Sequence, residues 1–86
     1  MATIVIRLEG QPAGHGPLTH QFRNFGEDVF RQVRGNEWGE VNVGEVDRST
    51  NMFSIANVNA STCRRVVRWV EKEAVRQFLT VTTEVH

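Results

Sequence analysis

The sequence predicts a two-layer α+β sandwich, in which two helices cover one face of a four-stranded antiparallel sheet. Residues 19–34 and 60–79 carry apolar side chains three and four positions apart, the spacing that places them on one helix face. Four shorter stretches are rich in β-branched residues or alternate apolar with polar residues, as strands do. Because each helix has one apolar face, both helices can pack on a single side of the sheet.

The composition predicts one domain over residues 1–86. Ten basic and ten acidic side chains give zero net charge, which argues against a chain dominated by phosphate binding. The single cysteine, Cys63, cannot form an internal disulfide. No stretch approaches the roughly 20 apolar residues that span a bilayer, so we expect a cytoplasmic protein with no membrane partner.

The first strand is predicted at residues 3–9, with Ile4, Ile6 and Leu8 directed to the core. The first helix is predicted at residues 19–34, with Thr19 as its N-cap. Gly26 lies on the apolar face of this helix and would allow it to approach the sheet closely. The other residues of that face are Phe22, Phe25, Val29, Phe30 and Val33.

Residues 37–47 and 52–58 are predicted to form a β-hairpin with a polar turn between them. Val46 has the opposite parity to Val41 and Val43, so either Gly44 forms a bulge or Val46 faces outward. In the second strand Phe53 and Ile55 are expected to face the core. The opposite face is expected to carry Met52, Ser54, Ala56 and Val58.

The long helix is predicted at residues 60–79, with Asn59 or Ser61 as its N-cap. Its apolar stripe contains Cys63, Val66, Val67, Val70, Ala74 and Phe78. Its opposite side is basic, and Trp69 lies about 120° from the centre of the stripe, where we expect partial exposure. A final strand of alternating threonine and valine is predicted at residues 79–85.

The order strand, helix, strand, strand, helix, strand predicts the split βαβ, or ferredoxin-like, arrangement with strand order 4-1-3-2. This fold hosts many unrelated functions, so function must be argued from sites. An RNA-recognition motif would need aromatic residues on the outer face of the central strands, and none is present. A soft-metal chaperone would need a cysteine pair, and this chain has one cysteine. An acylphosphatase-like enzyme would need an arginine in the loop 10–17, which contains none.

Three surfaces are candidate sites. The basic side of the long helix contains Arg65, Arg68, Trp69, Lys72 and Arg76, and such a mixture suits a protein partner or a nucleic acid. The open sheet face, with Val5, Met52, Ala56 and Val58, would suit a homodimer. The Gly-rich loop 10–17, with His15, is a candidate ligand loop, although it has no Walker or dinucleotide-binding pattern.

No nucleophile, histidine and carboxylate stand in a catalytic pattern, and we expect no cofactor and no metal. Glu45 and Asp47 share parity, so both could lie on one strand face and bind a metal or act as an acid/base pair. No third ligand is spaced nearby, and we expect solvated carboxylates that protect an edge strand. The element order and the strand 44–47 resemble those of small bacterial proteins, including immunity or adaptor proteins. The small size, the neutral charge and the lack of a catalytic pattern lead us to expect a non-enzymatic interaction domain of adaptor, immunity or regulatory type that binds another protein or a second copy of itself. Nucleic-acid binding and small-ligand binding are the alternatives.

Overall fold

A computed structural model describes residues 1–10, 17–34, 41–47 and 49–86 of the chain. The elements in chain order are β1 (Ala2–Leu8), α1 (Pro17–Arg34), β2 (Asn42–Val43), β3 (Met52–Val58), α2 (Ala60–Arg76) and β4 (Val81–Val85). The strands form one antiparallel sheet in the order β2-β3-β1-β4, and this confirms the predicted fold class and strand order.

The core lies between the sheet and the two helices. Ile4, Ile6 and Leu8 of β1 enter it as predicted, and so do Phe53 and Ile55 of β3. Phe53 packs against Phe22 of α1 with 5.5 Å between ring centroids, and against Phe25 at 6.1 Å. From α2, Val66, Val70 and Ala74 complete the core.

One predicted outward residue of β3 proves to be a core residue. Val58 is 0% exposed, so it cannot belong to the open sheet face. The cause is a bulge: Ala2 pairs with Val58 and Ile4 with Ile55, so two residues of β3 stand opposite Thr3 alone. Asn57 takes a left-handed conformation there, with φ of 61°, and the alternation restarts with Val58 facing inward.

Of the hairpin strand predicted over residues 37–47, residues 37–40 lie outside the described part of the chain. Within residues 41–47 regular pairing is limited to Asn42–Val43, and Asp47 forms an isolated bridge with Met52. Val43 pairs with Ile55 and Asp47 pairs with Met52. Three residues separate the first members of these pairs and two separate the second members, so the first strand of the hairpin contains one extra residue, a bulge. Val46 therefore turns to the core, as the bulge alternative predicted.

The close approach predicted at Gly26 is confirmed. A Cβ placed on Gly26 would lie 2.6 Å from Cγ2 of Val46, which is too close for two carbon atoms. Two other predictions for α1 were wrong. Thr19 lies inside the helix, which begins at Pro17, a residue whose fixed φ suits a first helical position. Phe30 is 43% exposed because it lies at the margin of the apolar face, beside the hairpin.

The long helix begins where predicted but ends three residues earlier. Asn59 is the N-cap, and its side chain accepts a hydrogen bond from the Ser61 amide at 3.0 Å. At the other end the Leu79 amide donates to the Ala74 carbonyl, which is the hydrogen bond of a Schellman motif. Phe78 occupies the left-handed position of that motif and is 92% exposed, so its prediction as a core residue was wrong.

Candidate interaction surfaces

The cations of α2 form a continuous exposed stripe. Helix geometry places Arg65, Arg68, Lys72 and Arg76 on the side opposite the buried valines, over about 16 Å of helix; we call these four residues the basic face. All four side chains are exposed. Arg76 pairs with Glu73 at 3.2 Å, whereas the other three form no ion pair with any described residue.

Trp69 lies at the flank of the basic face. As predicted it is partly exposed, and one part of the side chain packs against the hydrophobic core. A ring fixed in this way adds apolar area beside Arg65 and Lys72, which lie four residues before it and three after it. It presents less free ring surface for stacking than a fully exposed tryptophan would.

Two exposed apolar side chains lie close to the C-terminal end of α2. Val75 is 72% exposed and lies on the side of α2 that contains Glu71, one turn earlier. Phe78 follows in the connection to β4. The sequence pattern missed both residues as surface features, because it placed Phe78 in the core and gave Val75 no role.

The open sheet face is only mildly apolar. Val5, Met52 and Ala56 lie on it and are half-buried, while Val58 lies in the core instead. Val5 stands between Ser54 and Glu84 in the register of the neighbouring strands. Arg7 stands between Met52 and Thr82, so charged and hydroxyl side chains separate the apolar ones.

The two edges of the sheet differ in how they are protected. The β2 edge has two regularly paired residues, a bulge, and the exposed carboxylates of Glu45 and Asp47. Short, bulged, charged edges discourage pairing with another chain. The β4 edge has five paired residues, no proline and one charged residue, Glu84.

Hydrogen-bond parity shows which groups of β4 point outward. Thr3 and His86 exchange two backbone hydrogen bonds of 2.9 and 2.8 Å, and the Glu9 amide donates to the Thr80 carbonyl. Residues of the other parity, Val81, Thr83 and Val85, therefore direct their amides and carbonyls away from β1. The side chain of Thr83 is held on the helix side, where its hydroxyl donates to Glu71 at 3.2 Å.

The carboxylate of Asp47 stabilises the hairpin turn. Asp47 accepts hydrogen bonds from the hydroxyl of Ser49 at 2.6 Å and from its amide at 2.9 Å. These bonds stabilise the charged form and lower the pKa of Asp47. Nothing in this geometry joins Asp47 to Glu45 as an acid/base pair, and among the described residues no group of three potential ligands could hold a metal ion.

An open groove lies between α1 and the hairpin. Its volume is about 560 Å³. The described residues that line it are Arg23, Gly26, Glu27, Phe30, Val43, Gly44, Glu45 and Val46. Gly26 and Val46, which approach closely, both line the groove, and no sequence signal predicted it. Its described lining contains opposite charges and no nucleophilic side chain.

The proposed ligand loop cannot be placed, because His15 lies outside the described residues, as does Glu40 of the predicted hairpin. In the part of the chain that the structure describes, no helix combines the length and the apolar character needed to cross a membrane. No protein-family model matches the chain, and no curated protein is similar enough to it to be reported as a relative.

Proposed function

We propose that this chain is a non-enzymatic interaction domain that binds an acidic protein surface through the basic face of α2. One observation carries the proposal: Arg65, Arg68 and Lys72 are exposed and make no ion pair with any described residue. These three cations, which no described carboxylate neutralises by direct pairing, are available to carboxylates on another molecule. The single cysteine fits a cytoplasmic setting, where disulfides are rare.

The surroundings of the basic face favour a protein over a nucleic acid. Trp69 is partly packed into the core and Val75 is exposed beside the stripe, a combination of apolar area and arginine that is typical of protein interfaces. Glu71 and Glu73 lie on the same helix and reduce its net charge, which would weaken the attraction to a phosphate backbone.

A charge-reversal experiment tests the proposal. The tagged chain would be used to capture its partner from the native cell, and the captured protein would then be titrated with the variant Arg68→Glu/Lys72→Glu. We expect its affinity to fall at least tenfold, because two favourable charge pairs become repulsive. The matched control is Arg7→Glu/Arg31→Glu, which changes net charge equally on other surfaces and should bind like the wild type. Equal binding by all three proteins would overturn the proposal.

Nucleic-acid binding is the second candidate, favoured by Phe78, which is 92% exposed two residues after Arg76 and available for base stacking. Anisotropy of a labelled single-stranded oligonucleotide tests it. Four phosphate contacts would give a slope of about −3 in log affinity against log salt. No binding at low salt would remove this candidate, whereas binding that is lost in the Arg68→Glu/Lys72→Glu variant would favour it over the first.

A further inference from the structure

We propose that the free edge of β4 is a self-association site, at which two copies of the chain pair β4 with β4 in antiparallel orientation. The partner at this edge is a second copy of the chain, because the hydrogen-bonding groups of the edge can pair with the same groups of another copy. Its outward amides and carbonyls belong to Val81, Thr83 and Val85, three residues spaced evenly about Thr83. A two-fold axis at Thr83 places each Val81 opposite Val85 of the second copy and satisfies all of these groups.

The side chains agree with this register. On the helix side, Val81 meets Val85 and Thr83 meets Thr83, so only β-branched neighbours face each other. On the open face, Glu84 lies opposite Thr82 of the second copy, and no like charges are placed directly opposite. The β2 edge offers no such match, because it is short, bulged and acidic.

The helix layer continues across the same axis. α2 contacts both β1 and β4, and Glu71 accepts the hydroxyl hydrogen bond of Thr83, so the helix lies above these two strands. With strands about 4.8 Å apart, the two α2 helices would lie about 10 Å apart, the separation of packed helices.

This arrangement covers apolar side chains that are otherwise exposed. Antiparallel helices centred on Glu71 place Val75, 72% exposed, opposite Val67 of the second copy. They also bring the two Glu71 carboxylates together at the axis, a repulsion that the backbone pairing and the apolar contacts must outweigh. The same symmetry places Phe78, 92% exposed, opposite Arg64, a residue whose guanidinium can lie over an aromatic ring. Val85, 55% exposed, moves beside Val81 of the second copy. Three of the five large exposed apolar residues in the described ranges are thus at this site.

The inference is tested separately from the proposed function, although both assign a role to the exposed side chain of Val75. The basic face points away from the sheet, and Arg68→Glu/Lys72→Glu leaves every outward backbone group of β4 intact. That variant should therefore remain a dimer even if it binds no partner, and a monomeric β4 variant can still be tested for partner binding.

Light scattering on Thr83→Pro tests the site. Proline removes the Thr83 amide, which points away from β1, so the pairing of β1 with β4 is preserved. We expect the wild type to have twice the monomer mass of 9.8 kDa and Thr83→Pro to have the monomer mass with an unchanged circular dichroism spectrum. Thr83→Val is the matched control, because it loses the same hydroxyl but keeps the amide, and it should remain a dimer.

Two further variants keep the test decisive if Thr83→Pro does not fold. Val85→Lys adds a charge at the helix side of the edge and should give monomers. Thr82→Lys adds the same charge on the open sheet face, opposite Glu84 of the second copy, and should stay dimeric. A monomeric wild type at high concentration would overturn the proposal. So would a dimer that survives Val85→Lys but is lost in Thr82→Lys, because that pattern indicates pairing through the open face.

Discussion

At the scale of single residues, Phe78 is the most unusual position in the chain. Its φ of 59° is one that side chains with a Cβ adopt at a cost, and glycine is the usual residue at this point of a Schellman motif. Its ring is exposed, so no packing within the described chain offsets that cost. A residue that is unfavourable for the isolated domain is a reasonable place to look for an intermolecular contact.

Replacing Phe78 by glycine should stabilise the monomer. We expect the free energy of unfolding to rise by about 1 kcal/mol, because the left-handed conformation no longer carries a Cβ penalty. Urea denaturation in the monomeric Thr83→Pro background would measure it. Phe78→Ala is the control: it removes the ring but keeps the Cβ, so it should gain much less. An equal gain from alanine would attribute the effect to the exposed ring rather than to the backbone.

The error at Phe78 shows the limit of periodicity. Phe78 falls on the same face as Val70 and Ala74, so the pattern extends the helix two residues past its last turn. The hydrogen bond from Leu79 to Ala74 ends the helix earlier, with Leu79 taking the buried position. Without glycine or asparagine at position 78, no local signal marked the end.

At the scale of elements, the contact between α1 and the hairpin depends on Gly26. Gly26→Ala should lower the free energy of unfolding by about 1–2 kcal/mol, because overpacking against Val46 outweighs the better helix propensity of alanine. In a Val46→Ala background the clash disappears, and the same substitution should stabilise by up to about 1 kcal/mol. Thermal or urea unfolding of the four proteins would measure this reversal of sign. Destabilisation in both backgrounds would show that another contact limits the site.

The order of elements could be read from the sequence, whereas strand ends and faces could not. Ile4, Ile6, Phe53 and Ile55 alternate cleanly and were placed correctly. Val58 was not, because the extra residue at Asn57 reverses the parity of the next position in β3. The polar Asn57 and the apolar Val58 already interrupt the alternation, but the prediction treated the strand as regular. Within residues 41–47 the predicted pairing was overestimated, because an alternating pattern is not sufficient for regular pairing where a bulge interrupts the strand.

At the scale of the whole molecule, the sequence indicated where charge lies but not which surfaces are open. The basic face of α2 was predictable from helical spacing, and the exposed β4 edge followed only from the strand order together with the hydrogen-bond parity. The open sheet face is less apolar than predicted, because Val58 belongs to the core. Which side chains form an exposed surface depends on the residues that lie next to one another in the fold, and a single sequence carries little of that information.

Self-association through β4 would make stability depend on protein concentration. Because the dimer must dissociate as it unfolds, each tenfold rise in concentration should raise the thermal midpoint by about 3–5 °C for a domain of this size. Differential scanning calorimetry over two decades of concentration would measure it. Thr83→Pro should unfold at one temperature throughout, and a wild-type midpoint that is equally constant would contradict pairing.

The bulge at Asn57 also bears on how this fold could be rewritten by design. A library that enforced strict binary alternation along β3 would assign a polar side chain to position 58 and remove a fully buried valine. Such sequences would satisfy every local rule for a strand and still lack part of the core. The residue to keep in any redesign is therefore the exposed asparagine or a glycine in its place, because backbone handedness at that one position decides which way the next side chain points.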